Sequence, residues 1–282
     1  MARIADLLRA GRTFSFEFFP PKNEEETAVL GRTLQNLEPL GPSFVSVTYR
    51  GGRISRWPTH DLVVLIQRNT GITPMAHLIC VDHDRGELRE ILEQLKASGI
   101  ENVLALGGDP VEDGSRGEFK HAIELVELAR EVDGFSIGVA AHTSGHPRSP
   151  SLKSDREHLR AKLELADFAI TQLFFHASEW EQLRDDLARL GMHKPVIPGV
   201  MPITNLRSVQ RMAELSGYAV PDDVVARIEA AGTDPQNIRR AGVEEATRFC
   251  ADLLQAGAPG LHFYTLNYSK ATREIYEALR LD

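Results

Sequence analysis

The sequence predicts an α/β fold, a (βα)8 TIM-type barrel with an extra helix between its seventh and eighth strands. Short β-branched or aromatic runs alternate with helical patterns of roughly 10–16 residues, the signature of repeated βα units around a parallel sheet. Eight such runs fit into 282 residues, and no composition shift marks a second domain, so residues 1–282 read as one barrel.

The elements follow in order. FSFEFFPPK, residues 14–22, holds the first strand, at about 13–18. Its alternation sends Phe14, Phe16 and Phe18 to one face and Ser15 and Glu17 to the other. Pro20 and Pro21 stop the ladder, which sets Glu17 near the strand's carboxyl end, where barrels collect their chemistry. An exposed acid on an edge strand is the plainer reading, but so much aromatic surface argues for burial. A helical segment at 23–40 opens on an Asn cap and precedes the strand FVSVTY (44–49). TPMAHLIC (73–80), NVLAL (102–106) and FSIGVAA (135–141) are the next strands, with helical segments at 84–99 and 121–132 between them. FAITQLFF (168–175), a helical segment at 178–191 and PVIPGVM (195–201) continue the alternation. PDDVVARIEAAG (221–232) and the segment 234–257 lengthen the connection to the last strand, GLHFYTL (260–266).

Composition sets the class. With 42% hydrophobic and 26% charged residues the chain is an ordinary globular protein, and a net charge of −8 argues against nucleic acid or an anionic membrane as partner. Cys80 and Cys250 form no CxxC pair, and the N-terminal MARIADLLRAGR is an amphipathic turn without a signal-peptide core. A cytoplasmic small-molecule enzyme with reduced thiols is expected, and a homo-oligomer stays open. The histidines and VDHD (81–84) supply no HExxH and no compact ligand triad, so no metal is expected.

In a barrel the residues at the strands' carboxyl ends share one mouth. Here they include Glu17, Thr48, Tyr49, His77, Asp109 after Gly107 and Gly108, His142, His146, Gln172, residues 198–201, Thr265 and Asn267. Taken singly, many have structural readings. Asp109 suits a turn or helix N-cap, Thr48 and Tyr49 are good strand formers, and His77 suits a buried imidazole bonded to the backbone. Asp155 and Lys162 fall about two turns apart on one helix face, which a solvated charged face also explains.

Together, FSFEFFPPK (14–22), FVSVTY (44–49), AHLIC (76–80), LALGGDP (104–110), VAAHTSGHP (139–147), AITQLFF (169–175), IPGVMPITN (197–205) and GLHFYTLN (260–267) resemble the methylenetetrahydrofolate reductase family in its bacterial single-domain form. The resemblance covers nearly the whole length. It implies an FAD-binding barrel that reduces 5,10-methylenetetrahydrofolate to 5-methyltetrahydrofolate with NADH or NADPH. It makes Glu17 the general acid that opens the substrate's aminal, with Asp109 as a second catalytic carboxylate. Asp109 and Gln172 are the implied folate contacts. Thr48, Tyr49, His77, Gly108, Asp109, His142, His146, Asp155 and Lys162 are the implied cofactor contacts, with Lys162 set to neutralise the FAD diphosphate.

The chain departs from the family pattern at Gly107, where an Arg is usual, at His142 for Tyr, at Ala161 for Arg, at His176 for Asp and at Tyr268 for Arg. Most of these touch the flavin, so weakened FAD binding is expected, with Arg50, Arg53 or Arg56 as compensating cations. Two other functions fit the same residues: a flavin-free variant in which nicotinamide passes hydride directly to folate, and a non-catalytic folate-binding barrel, which the retained Glu17 disfavours. No strand–Gly-loop–helix fingerprint is present to tell NADH from NADPH.

Overall fold

Alternation along the strands sorts the side chains into an outer core under the helices and an inner core within the barrel. The computed structural model describes residues 2–49, 56–108 and 117–280. Helix α1 (Ile4–Ala10) precedes β1 (Thr13–Phe18), and α2 (Glu24–Leu37) runs into a 3-10 turn before β2 (Phe44–Val47). Then come α3 (Arg56–Asn69), β3 (Pro74–Ile79), α4 (Arg85–Ala97), β4 (Asn102–Leu106), α5 (Ala122–Val132), β5 (Ser136–Ala141), α6 (Leu152–Leu165) and β6 (Phe168–Thr171). Helix α7 (Ala177–Arg189) leads to two short segments, β7 (Val196–Ile197) and β8 (Gly199–Val200). Helices α8 (Leu206–Leu215), α9 (Asp222–Glu229) and α10 (Pro235–Gln255) precede β9 (Gly260–Tyr264) and α11 (Lys270–Leu279). Caps fix several starts: Asn23 accepts from the Glu26 amide at 2.9 Å, and Asp84 and Glu87 form a capping box on α4.

Among the described residues the nine strands are parallel and ordered β7-β6-β5-β4-β3-β2-β1-β9-β8. The two end segments are halves of one run, interrupted by Pro198, which has no N–H to give the ladder. Its first half pairs with β6 and its second with β9, so the ring closes through a single proline. This is the expected TIM-type barrel, with its seventh strand in two pieces.

Phe16 and Phe18 are fully buried in the outer core with Val45, Val47 and Phe263. Inside the barrel, Phe44, Met75, Leu104, Phe168, Ile170 and Ile197 form a separate apolar layer, joined by Ile4 of α1. Helix α1 thus plugs the amino-terminal end of the barrel. Asn102 Oδ1 accepts from the Ile4 amide at 2.8 Å and Ser136 Oγ from the Ala5 amide at 3.0 Å, satisfying donors that a helix start leaves free.

Three expectations are corrected. The N-terminal segment is a docked helix, because Ile4 gains a buried place that its short sequence does not advertise. The sixth strand ends at Thr171: Gln172 Oε1 takes the Leu173 amide at 2.8 Å, and Leu173 and Phe175 leave the ladder for a second apolar cluster. The connection before the last strand holds three helices, α8 to α10, and Val209, Ala213, Val224 and Ile228 of the first two pack in that same cluster.

Candidate functional site

The polar residues lie above the plugged layer, towards the carboxyl ends of the strands. Register pairs Glu17 with Ser46 on β2 and with Tyr264 on β9. The Glu17 side chain is 12% exposed, and its Oε2 lies 3.5 Å from His77 Nε2 and 3.6 Å from His262 Nε2. His262 is fully buried, with Ser15 Oγ 2.8 Å from its Nδ1 and Ser46 Oγ 3.4 Å from its Nε2. Its ring stacks on Phe44, centroids 6.0 Å apart. The acid therefore stands between two imidazoles, one of them fixed by a serine on the acid's own strand.

Burial is the main reason the His77 pKa falls to about 4, with His262 acting in the same direction and the Glu17 charge opposing. His77 is therefore neutral at pH 7. Its Nε2, on β3, and Thr48 Oγ1, just beyond β2, are buried without a hydrogen-bond partner, so both keep hydrogen-bonding capacity at the mouth. Tyr264 donates to Thr171 O at 2.5 Å, and burial together with the Glu17 charge holds its phenol well above the usual value, so it stays protonated. A Cβ at Gly199 would stand 2.5 Å from both Thr171 O and Tyr264 Oη, so glycine is needed where the split strand meets this pair.

A second group gathers at the end of β5. His142 Nδ1 lies 2.7 Å from Tyr218 Oη, and its ring is 4.7 Å from that of His146. Burial lowers the His142 pKa to about 4, His146 and Lys162 adding to the effect. Asp155 accepts from the His146 amide at 2.9 Å, from Ser149 Oγ at 3.2 Å and from Arg156 Nη1 at 3.0 Å. Lys162 Nζ donates to Ala140 O at 2.8 Å, and burial lowers its pKa to about 8 against the pull of Asp155. Gly108 has φ +85°, its added Cβ would meet Val81 Cγ1 at 2.4 Å, and Arg148 Nη2 donates to its carbonyl at 3.5 Å.

The structure thus brings Glu17, His77 and Thr48 to one mouth, and gathers His142, His146, Asp155 and Lys162 at the neighbouring edge. Gln172 is half-buried and bonds its own neighbour's amide. Tyr49 turns outward: its ring packs on the outer core, and its Oη lies 3.0 Å from His83 Nε2. Asp109, Arg50 and Arg53 lie outside the described residues, and of Arg56 only the backbone is described. Sequence reasoning missed His262, Ser15 and Tyr218. The alternation in GLHFYTL carries the signal for His262, since it sets His262 and Tyr264 on one face. Among the described residues no group of three His, Cys, Asp or Glu is placed to hold a metal ion, and no helix is long and apolar enough to cross a membrane.

By fold the chain is similar to a Clostridium thermocellum protein described as binding two copies of 5-methyl-5,6,7,8-tetrahydrofolic acid, with TM-score 0.71, 13% identity and coverage of 97% of this chain and 96% of that one. Oxaloacetate acetylhydrolase shares the fold more distantly, with TM-score 0.55 at 11% identity over 99% of this chain and 83% of that one. The 5,10-methylenetetrahydrofolate reductase of Pectobacterium carotovorum is 34% identical over 94% of this chain and 89% of its own length. The Escherichia coli enzyme of the same name is 33% identical over 94% and 90%. A Caenorhabditis elegans protein, a probable methylenetetrahydrofolate reductase (NADPH), is 34% identical over 95% of this chain and 42% of its own length. The family model for methylenetetrahydrofolate reductase matches residues 3–280, and the chain belongs to that family.

Proposed function

We propose that this protein reduces 5,10-methylenetetrahydrofolate to 5-methyltetrahydrofolate at the expense of a reduced nicotinamide, with Glu17 as the proton donor. The observation that carries this is the placing of Glu17: an enclosed carboxyl group at the carboxyl end of β1, between His77 and His262. The substrate's methylene carbon is bridged by two nitrogens and accepts no hydride until one C–N bond breaks. Glu17 gives its proton to the leaving nitrogen, the bond electrons go to that nitrogen, and an iminium carbon remains. Hydride adds to that carbon to form the methyl group, leaving oxidised nicotinamide and the Glu17 carboxylate. His262, fixed by Ser15, orients the carboxyl group, and neutral His77 faces it without adding a competing charge.

A bound FAD would supply hydride relay between nicotinamide and folate. The residues fit such a group in outline. Thr48 Oγ1 and His77 Nε2 are buried without a hydrogen-bond partner at the mouth, the latter 3.5 Å from Glu17 Oε2, and Gly108 turns with positive φ beside the exposed Arg148. Thr48, His77, Gly108, His146, Arg148 and Lys162 would hold it. Among the described residues, Arg148 is a cation beside the Gly107-Gly108 turn. A second reading, direct hydride transfer from nicotinamide to folate, is favoured by one observation: Asp155 and His142 are already engaged by Arg156, the His146 amide and Tyr218.

The test is spectroscopic and kinetic. Purified protein receives FAD, then anaerobic NADH or NADPH, then methylenetetrahydrofolate. Bleaching followed by recovery supports the flavin relay; turnover without a bound chromophore supports direct transfer. Glu17→Gln should keep the nicotinamide half-reaction and lose about 10²–10⁴ of folate reduction. Folate turnover near the wild-type rate in that variant would sink the assignment of Glu17.

A further inference from the structure

The loop after β5 is tied down on three sides by residues that the proposed proton transfer does not use. Arg156, buried on α6, donates to His142 O at 2.8 Å and also to Thr143 O, while its Nε donates to Asp186 of α7 at 3.2 Å. Glu179, also of α7, accepts from Thr143 Oγ1 at 3.3 Å and from Ser144 Oγ at 3.0 Å. From the third side comes Tyr218, on the connection between α8 and α9. Gly217 brings it there: with φ +81° it packs so closely that an added Cβ would stand 2.4 Å from Pro147 Cγ of the loop. Tyr218 Oη donates to Gly145 O at 3.2 Å and lies 2.7 Å from His142 Nδ1. With the backbone held and Nδ1 against the phenol, the His142 ring is placed, and what is left to decide is where its proton sits.

A phenol has a single proton to give, and a carbonyl oxygen can only accept. The arrangement that satisfies every atom has Tyr218 donating to Gly145 O and receiving the His142 Nδ1 proton. The reverse would leave two oxygens facing each other at 3.2 Å with no proton between them. Burial holds the Tyr218 phenol above its usual range and keeps His142 neutral, so each group keeps its one proton. In a neutral histidine the bond made by one ring nitrogen fixes the state of the other. Nε2 is then a lone-pair acceptor, and it has no hydrogen-bond partner among the described residues. We propose that Tyr218 is a positioning residue that holds His142 as its Nδ1–H tautomer, so that the ring meets the cofactor as an acceptor and selects a hydroxyl or amine donor there. This rests on the flavin reading above. A tyrosine at 142, as in the family pattern, would both donate and accept; the imidazole so held only accepts. Because Tyr218 occupies Nδ1 alone, the engagement of His142 leaves its other nitrogen to the cofactor.

Imidazole nitrogen NMR of the full-length, flavin-free protein reads the tautomer directly, with the His142 signals assigned by their loss in His142→Gln. Wild type should carry the proton on Nδ1, and Tyr218→Phe should move it to Nε2, the form that free histidine side chains favour. FAD titrations give the consequence: Tyr218→Phe should weaken FAD binding about 3- to 10-fold, the worth of one neutral hydrogen bond. In the His142→Gln background the same substitution should change the FAD dissociation constant by less than about twofold, because the residue it acts through is gone. Melting temperatures are recorded for each variant. Titration with FMN separates the donors: weakening for FAD alone puts the donor on the adenosine half, and weakening for both puts it on the flavin half. A wild-type proton on Nε2, a tautomer or FAD affinity that Tyr218→Phe leaves unmoved, or an equal loss in the His142→Gln background would overturn the role of Tyr218. Wild-type protein that binds no FAD would instead overturn the flavin reading beneath it, and the tautomer would still decide what Tyr218 holds.

Discussion

Two imidazoles, those of His77 and His262, lie within 3.6 Å of Glu17 Oε2. His262 is fully enclosed and its Nδ1 faces Ser15. On the proposed function its part is to hold the acid in place. His262→Asn should therefore lower kcat for folate reduction by about 10- to 100-fold while the nicotinamide half-reaction persists, and Ser15→Ala should give a smaller loss in the same direction, both read by stopped-flow. Equal loss in both half-reactions would show a general collapse of the site. Glu17 was legible in the sequence because a period of two and a double proline fix its face and its position along the strand. The pairing with Ser15 and His262 was not, because these residues lie 247 positions apart and meet only when β1 and β9 pair.

At the scale of elements, helix α1 and the split strand seal the two weak points of the barrel. Ile4 is fully buried in the inner layer, so Ile4→Ala should cost about 2–5 kcal/mol of stability in a denaturant titration and leave kcat unchanged, because the plug lies at the end opposite the acid. Gly199→Ala should do worse than its size suggests. The added methyl meets a backbone carbonyl and the Tyr264 hydroxyl where β8 joins β9, so lower melting temperature and weakened folate reduction should appear together. Strand centres were legible from β-branched and aromatic runs. The end of β6 was not: FAITQLFF is apolar throughout, and only the second cluster under α8 and α9 draws Leu173 and Phe175 away from the ladder.

For the whole molecule, pH acts through groups whose burial disfavours charge. The folded pKa values of His77 and His142, about 4, lie below the ordinary 6.5. Between those values the unfolded chain takes up protons that the folded one refuses, so stability falls as pH drops from about 6.5 to 4. For the enclosed His77 the full effect is roughly 3 kcal/mol. Lys162, at about 8 rather than 10.5, acts in the same sense at higher pH, adding stability as pH rises between those values. Melting temperature should therefore drop on acidification below about pH 6.5, and His77→Gln should flatten that slope. An unchanged slope in the variant would show that His77 takes up its proton in the fold without cost.

By itself the sequence determined the alternation of strands and helices, the face and height of Glu17 and the family that its ordered motifs resemble. These follow from local periodicity, proline and short contiguous segments. Tertiary structure decided which distant groups meet. It closed the ring through Pro198, set His262 against Ser15, turned Tyr49 outward and His77 inward, and engaged His142 with Tyr218. The physical reason is that a strand's own sequence fixes which side chains share a face, whereas the partner across a barrel is set by register, closure and packing between segments that no local pattern joins.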